Sequence, residues 1–213
     1  MLKRFVNGTS RAVSEILTGD ETWKYHYDPE TKRRSKEWVE EGGLPPTKVQ
    51  RIRSAGKQMW AIFFKRSGFI EGIALEDRNI VTADWYTTVS LPKVFSAIEK
   101  QREKSSVRGI LLHHDNASSY TALRTREFLE NYWIGTLPHP PYSPDLAPCD
   151  FWLFPKLKDQ RRGRRIISNE ELTGTLFLAI EEIPKEEWKM RFDTWFKRMK
   201  RCIECQGECF EKM

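Results

Sequence analysis

Three aspartates far apart in the chain constrain this fold more than any other feature: Asp20 in TGDETW, Asp115 in HHDNASSYTA and Asp150 in PPYSPDLAPCDFWLFPKLK. Each follows a segment that reads as a strand or a proline-fixed turn, so rigid backbone can hold all three, as a metal site requires. Carboxylates are hard oxygen ligands, suited to holding divalent ions against a nucleic-acid phosphate. Thirty-four residues lie between Asp115 and Asp150.

The hydrophobic pattern supplies the backbone for these groups. Ala12, Val13, Ile16 and Leu17 stand at helical spacing and predict a short helix over 10–17. Trp23, Tyr25 and Tyr27 alternate with Lys24 and His26, the period of a half-buried strand that ends at Asp28-Pro29, which puts Asp20 on or just before a first strand. Residues 28–56 are polar and basic, carry Gly42-Gly43 and Pro45-Pro46, and read as a long excursion between strands. Residues 57–65 and 69–75 predict a hairpin turning at Ser67-Gly68. A helix or helix pair follows over 82–102, interrupted or kinked at Pro92. Residues 109–113 contain Ile110-Leu111-Leu112, an unbroken apolar strand of the kind buried on both faces. Asp115 lies just past its end, where open α/β sheets place their sites. A helix over 121–131, a short strand over 133–137 and a stiff loop over 138–148 lead to a helical carboxyl-terminal part. Asp150 falls near its first helix start, where the helix dipole favours a carboxylate, and Pro155 kinks or postpones that helix.

Composition narrows the partners. The 213-residue chain carries a net charge of +6 and a pI near 9.1, with eight Trp and twelve Phe. That aromatic content argues for a packed core, and the basic balance favours a polyanion. No run approaches the roughly 18 apolar residues of a membrane span, and the first residues lack the apolar centre of a secretory signal, which leads to the expectation of a soluble intracellular protein. Cys202, Cys205 and Cys209 crowd the carboxyl end without a fourth ligand or a nearby His, so free cysteines are expected there in preference to a zinc site.

TGDETW, HHDNAS and YSPDLAPCDF, with the thirty-four-residue spacing, resemble the mariner transposases of the Tc1/mariner superfamily, and the closing WFKRMKRCIECQGECFEK resembles their carboxyl end. The chain also resembles the transposase portion of the SET–mariner fusion protein, in which the third aspartate is asparagine; here it is Asp150. The resemblance implies an α/β, ribonuclease-H-like (retroviral-integrase-like) fold, a mixed sheet flanked by helices, with residues 1–213 forming a single catalytic domain and 28–56 a clamp-loop-like insertion. It implies that Asp20, Asp115 and Asp150 hold two Mg²⁺ or Mn²⁺ ions, with Asp20 bridging them, for DNA strand cleavage and strand transfer. The implied partners are double-stranded DNA, both transposon ends and target, and a second copy of the chain contacted through the 28–56 excursion. Only nineteen residues precede Asp20, so the family's amino-terminal helix-turn-helix modules are expected to be absent and the chain to be a truncated copy. The alternative is an inactive or domesticated DNA-binding module. Tyr120 stands where the family often has His.

Around this centre, Asn116 is a candidate beside the metal ligands. Arg33 and Arg34 in the excursion, and Lys156, Lys158, Arg161, Arg162, Arg164 and Arg165 after Asp150, are candidate phosphate contacts. The second run also reads as a nuclear-import signal, giving an expected nuclear location. His113 is expected to satisfy backbone and not to act as a base. Trp38, Trp60, Trp152, Trp188 and Trp195 are expected to pack.

Overall fold

The computed structural model describes residues 2–29, 36, 38–43, 56–75, 80–101, 106–160 and 162–207. Its centre is a five-stranded mixed sheet of order β3-β2-β1-β4-β5. β1 (Ile16–Tyr25), β2 (Lys57–Lys65) and β3 (Gly68–Ala74) form an antiparallel meander, while β4 (Leu111–His113) and β5 (Gly135–Leu137) add in parallel on the other side of β1. The expected hairpin, the parallel strand before Asp115 and the α/β class are therefore present.

Alternation along β1 explains the layers. Ile16 enters a core built with Trp60, Ile62 and Phe64 of β2 and the carboxyl-terminal helices α5 (Phe154–Asp159), α6 (Asn169–Glu181) and α7 (Lys185–Glu204). Leu17 enters a second core on the opposite face, with Ala61, Phe63, Tyr86 and Leu91. That side is covered by α1 (Ala83–Trp85), α2 (Leu91–Gln101), α3 (Ser118–Thr121) and α4 (Leu123–Asn131). A sheet with helices on both faces lets β1 and β4 be apolar on both sides.

Four expectations need correction. Residues 10–17 are not one helix: a 3₁₀ turn spans Arg11–Glu15, and β1 begins at Ile16 because Ile16 and Leu17 go into different cores, as adjacent strand residues do. Asp20 thus lies within the strand and not at its edge. Residues 82–102 carry a π turn at Tyr86–Ser90 within one run that is helical without a break from Ala83 to Gln101, and Pro92, which has no N–H to give, follows directly on that irregularity. Residues 121–131 divide at Ala122, whose extended backbone separates α3 from α4. Trp38 is fully exposed, at 105% relative exposure, whereas Trp60, Trp152, Trp188 and Trp195 are buried as expected. No helix among the described residues is long and apolar enough to cross a membrane.

Gly19 has a steric reason. A Cβ there would lie 2.2 Å from Phe63 Cδ1, and the Phe63 ring is buried and stacked on Tyr86. Gly19→Ala is expected to destabilise the protein by about 1–3 kcal/mol, the usual range for overpacking, measured as a lower urea midpoint; an unchanged midpoint would mean that Phe63 swings aside freely.

Candidate active site

Three separate devices bring the aspartates to one place. Asp20 projects from β1 on the Ile16 face. β4 pairs in parallel with β1 through Thr18↔His113, so Asp115, two residues past that pair, emerges level with Asp20. Asp150 arrives from the far side in a π turn, Cys149–Leu153, that precedes α5. Such turns are frequent at functional sites. The helix does not wait for Pro155: the backbone is helical without a break from Pro148 to Asp159, and Pro155 follows directly on the π turn. Asp115 and Asp150 line a cleft of about 380 Å³ with Asn116, His139 and Tyr142.

Charge crowding dominates the electrostatics. Burial first, then Asp150, then Glu21, push the Asp20 carboxyl from the ordinary 3.8 up to about 8. Burial and then Asp115 raise Asp150, with Lys158 opposing. The Asp20 Oδ1 accepts the Glu21 N–H at 2.7 Å, and the Asp115 Oδ1 accepts the Ala117 N–H at 2.8 Å, so both carboxylates are aimed by local backbone. Among the described residues, no three Asp, Glu, His or Cys side chains stand close enough together to hold a metal ion as they are placed here. The donor chemistry nevertheless suits a hard divalent cation, since all three groups are carboxylates and two of them resist ionising beside their neighbours.

Glu21 is the residue that the sequence reading missed. As Asp20's neighbour on a strand it faces the other layer, where burial raises its pKa to about 7 and the Tyr120 hydroxyl opposes that rise. Its Oε1 is buried and has no hydrogen-bond partner. Tyr120 is itself buried, stacked on His114 at 4.6 Å and packed on Tyr86 at 4.7 Å. It therefore supports β1 from below and does not face the cleft. The signal was available in the DE pair, once β1 is extended through it.

The rim is fixed by buried polar contacts. His113 bonds Thr18 Oγ1 through Nδ1 at 3.0 Å and His139 through Nε2 at 3.2 Å, and Trp195 packs edge-on against it at 4.6 Å. Burial and then His139 depress His113 to about 3, so it stays neutral. Trp195 also donates Nε1–H to the Leu146 carbonyl at 2.6 Å, and Arg198 donates to the Asp145 carbonyl at 3.0 Å, tying the 138–148 loop to α7. Asn116 donates Nδ2–H to the His139 carbonyl at 2.9 Å, which makes it a clasp across the cleft.

The basic residues divide. Lys156 pairs with Glu187 at 2.8 Å, and Glu187 also accepts the Trp152 indole N–H, so Lys156 is turned toward α7. Arg162 pairs with Asp159 at 2.8 Å. Lys158 is close enough to Asp150 to favour its ionised form. Arg164 and Arg165 are exposed on a segment stitched to the end of β1 by Gly163 N–H to Asp28 O at 2.9 Å and Ile166 N–H to His26 O at 2.8 Å. Arg33, Arg34 and Arg161 lie outside the described residues. Cys149, Cys202 and Cys205 are free.

A family model for "Transposase (partial DDE domain)" matches residues 28–108, the stretch between Asp20 and Asp115. The mariner Mos1 transposase of Drosophila mauritiana is 30% identical over 211 residues, covering 93% of this chain and 57% of the relative. The histone-lysine N-methyltransferase SETMAR of Homo sapiens is 25% identical over 200 residues, covering 93% of this chain and 29% of the relative. The chain thus spans well under two thirds of either curated relative. Among solved structures, the Mos1 mariner paired-end complex with Mn superposes with a TM-score of 0.87 at 30% identity, over 99% of this chain and 60% of that one. The catalytic domain of Mos1 mariner transposase superposes with a TM-score of 0.76 at 26% identity, over 99% and 90%. The ribonuclease-H-like fold is the one these neighbours share with this chain.

The raised Asp20 pKa has a defined sign. Between about pH 4 and pH 8 the metal-free folded chain keeps a proton that the unfolded chain releases, so its stability falls as pH rises through that window. Asp20→Asn is expected to raise the melting temperature of metal-free protein at pH 8 and to leave it little changed at pH 4. Equal effects at both pH values would place the Asp20 pKa near its ordinary value.

Proposed function

We propose that this chain is a mariner-type transposase catalytic domain acting as a metal-dependent DNA nuclease and strand transferase, a reading supported by the transposase family model over 28–108, the 30% identity to the mariner Mos1 transposase and the superposition on Mos1 structures. The observation that carries this reading is the placing of Asp20 on β1, Asp115 just past β4 and Asp150 in a π turn close enough together that, on top of burial, Asp150 and Asp115 raise the Asp20 carboxyl and Asp115 raises Asp150, with Asp115 and Asp150 lining one cleft. In this reading Asp20, Asp115 and Asp150 would hold two Mg²⁺ or Mn²⁺ ions. When bound, the ions supply activation of the attacking oxygen and charge stabilisation of the leaving oxygen.

The chain's own residues then position DNA. Lys158, near enough to Asp150 to favour its ionised form, and the exposed Arg164 and Arg165 are the proposed phosphate contacts. Lys156 is left out because Glu187 already holds it. Asn116, hydrogen-bonded to the His139 carbonyl and lining the cleft, is proposed to contact the substrate there. Transposon ends and target DNA are the proposed substrates, a second copy meeting the 28–56 excursion the proposed partner, and the nucleus the proposed location.

Purified protein is expected to nick supercoiled plasmid in Mg²⁺ or Mn²⁺ but not in EDTA. Asp20→Ala, Asp115→Ala and Asp150→Ala are each expected to abolish nicking while DNA binding persists, since each removes a ligand and a negative charge together. Folded wild-type protein that binds DNA and never nicks it would instead be a binding module. For the phosphate contacts, Lys158→Ala, Arg164→Ala and Arg165→Ala should each reduce the log–log salt slope of DNA binding by about 0.9. An unchanged slope would remove that residue from the interface.

A further inference from the structure

Tyr142 is held in a way that its own packing does not explain. Its side chain is 102% exposed, and its backbone is left-handed at φ 53°. Among the described residues only Trp133 and Gln206 share that feature without being glycine. Both of those sit at helix ends: Trp133 follows α4, with Ile134 N–H bonded to Leu129 O at 2.9 Å, and Gln206 follows α7, with Gly207 N–H bonded to Cys202 O at 2.8 Å. A left-handed residue is the ordinary way to end a helix. Tyr142 instead occupies a turn with Pro141, where Gly or Asn is the ordinary occupant of a positive-φ position.

The turn is rigid. Prolines 140, 141 and 144 flank Tyr142, Ser143 Oγ donates to the Pro141 carbonyl at 3.0 Å, and the following residues are tied down through Leu146 to Trp195. The ring thus stands on a stiff support at the rim of the cleft that holds Asp115 and Asp150, fully exposed and with no side chain among the described residues covering either face. An aromatic ring so displayed beside a phosphate-handling site has one natural counterpart, the π-face of a nucleobase. Bases within a duplex already stack on each other, so only an unpaired base or a strand end can use it.

Resting on the DNA-cleaving reading above, we propose that Tyr142 is a stacking platform for an unpaired nucleobase next to the phosphodiester engaged at the carboxylates. Stacking asks only for a ring face, so the contact tolerates any base and positions the strand without reading sequence.

The test uses the whole chain in Ca²⁺ with two duplexes, one blunt and one carrying a 2-aminopurine in a short 3′ overhang. Fluorescence reads stacking and anisotropy reads binding. Wild-type protein and Tyr142→Phe are expected to quench the 2-aminopurine and to prefer the overhang. Tyr142→Asn suits the left-handed backbone, and it is expected to fold normally and to bind the blunt duplex as wild type does. It should lose the quench and bind the overhang duplex about five- to a hundredfold more weakly, the range of one base–aromatic stack. If Tyr142→Asn quenches and binds both duplexes like wild type, the stacking role is wrong while the DNA reading stands. If wild-type protein binds neither duplex, both fall.

Discussion

Carboxylates that share a half-buried cleft repel one another, and here that repulsion is built in by strand pairing. The parallel pairing of β1 with β4 puts Asp20 and Asp115 at the same level, and the π turn before α5 adds Asp150. Burial strengthens the effect, since less water is available to screen each charge. A site of this kind is destabilising until a cation or a proton neutralises it, so the surrounding fold must hold the three groups in place at some cost to stability.

Two layers provide that support. On one face, Trp152 and Trp188 pack around Phe64 at ring distances of 5.7 and 5.1 Å, and Trp195 grips both His113 and the Leu146 carbonyl. Helix α7 therefore fixes β4 and the loop before Asp150 together, although it carries none of the carboxylates. On the other face, Tyr86, Tyr120 and His114 stack beneath Glu21, so β1 is clamped from both sides at the position of Asp20. Glycine at position 19 belongs to the same arrangement, because it lets Phe63 lie flat against the strand.

Much of this was legible in the residues. The hairpin, the apolar strand ending before Asp115, the stiff proline loop and the three aspartates all follow from local pattern, and their flanking words pointed to the family. What local pattern could not supply was which face a residue takes. Ile16 and Leu17 look helical by spacing but serve two cores, which hid the start of β1 and with it the role of Glu21. The run after Asp150 looked uniformly basic, yet Lys156 is paired with a glutamate from α7 distant in sequence. Tyr142 opens the YSPDLAPCDF motif, but its exposure and its left-handed backbone are tertiary facts that the motif did not show.

The central claim is that the cleft keeps a proton on its carboxylates until a divalent cation displaces it. Calorimetric titration of Mn²⁺ into the protein at pH 7, repeated in buffers of different ionisation enthalpy, measures this directly. The account predicts buffer-dependent heats that correspond to release of about one proton per protein molecule, because metal binding requires the deprotonated ligand. Heats that do not change with buffer, or an absence of Mn²⁺ binding by folded protein, would contradict it.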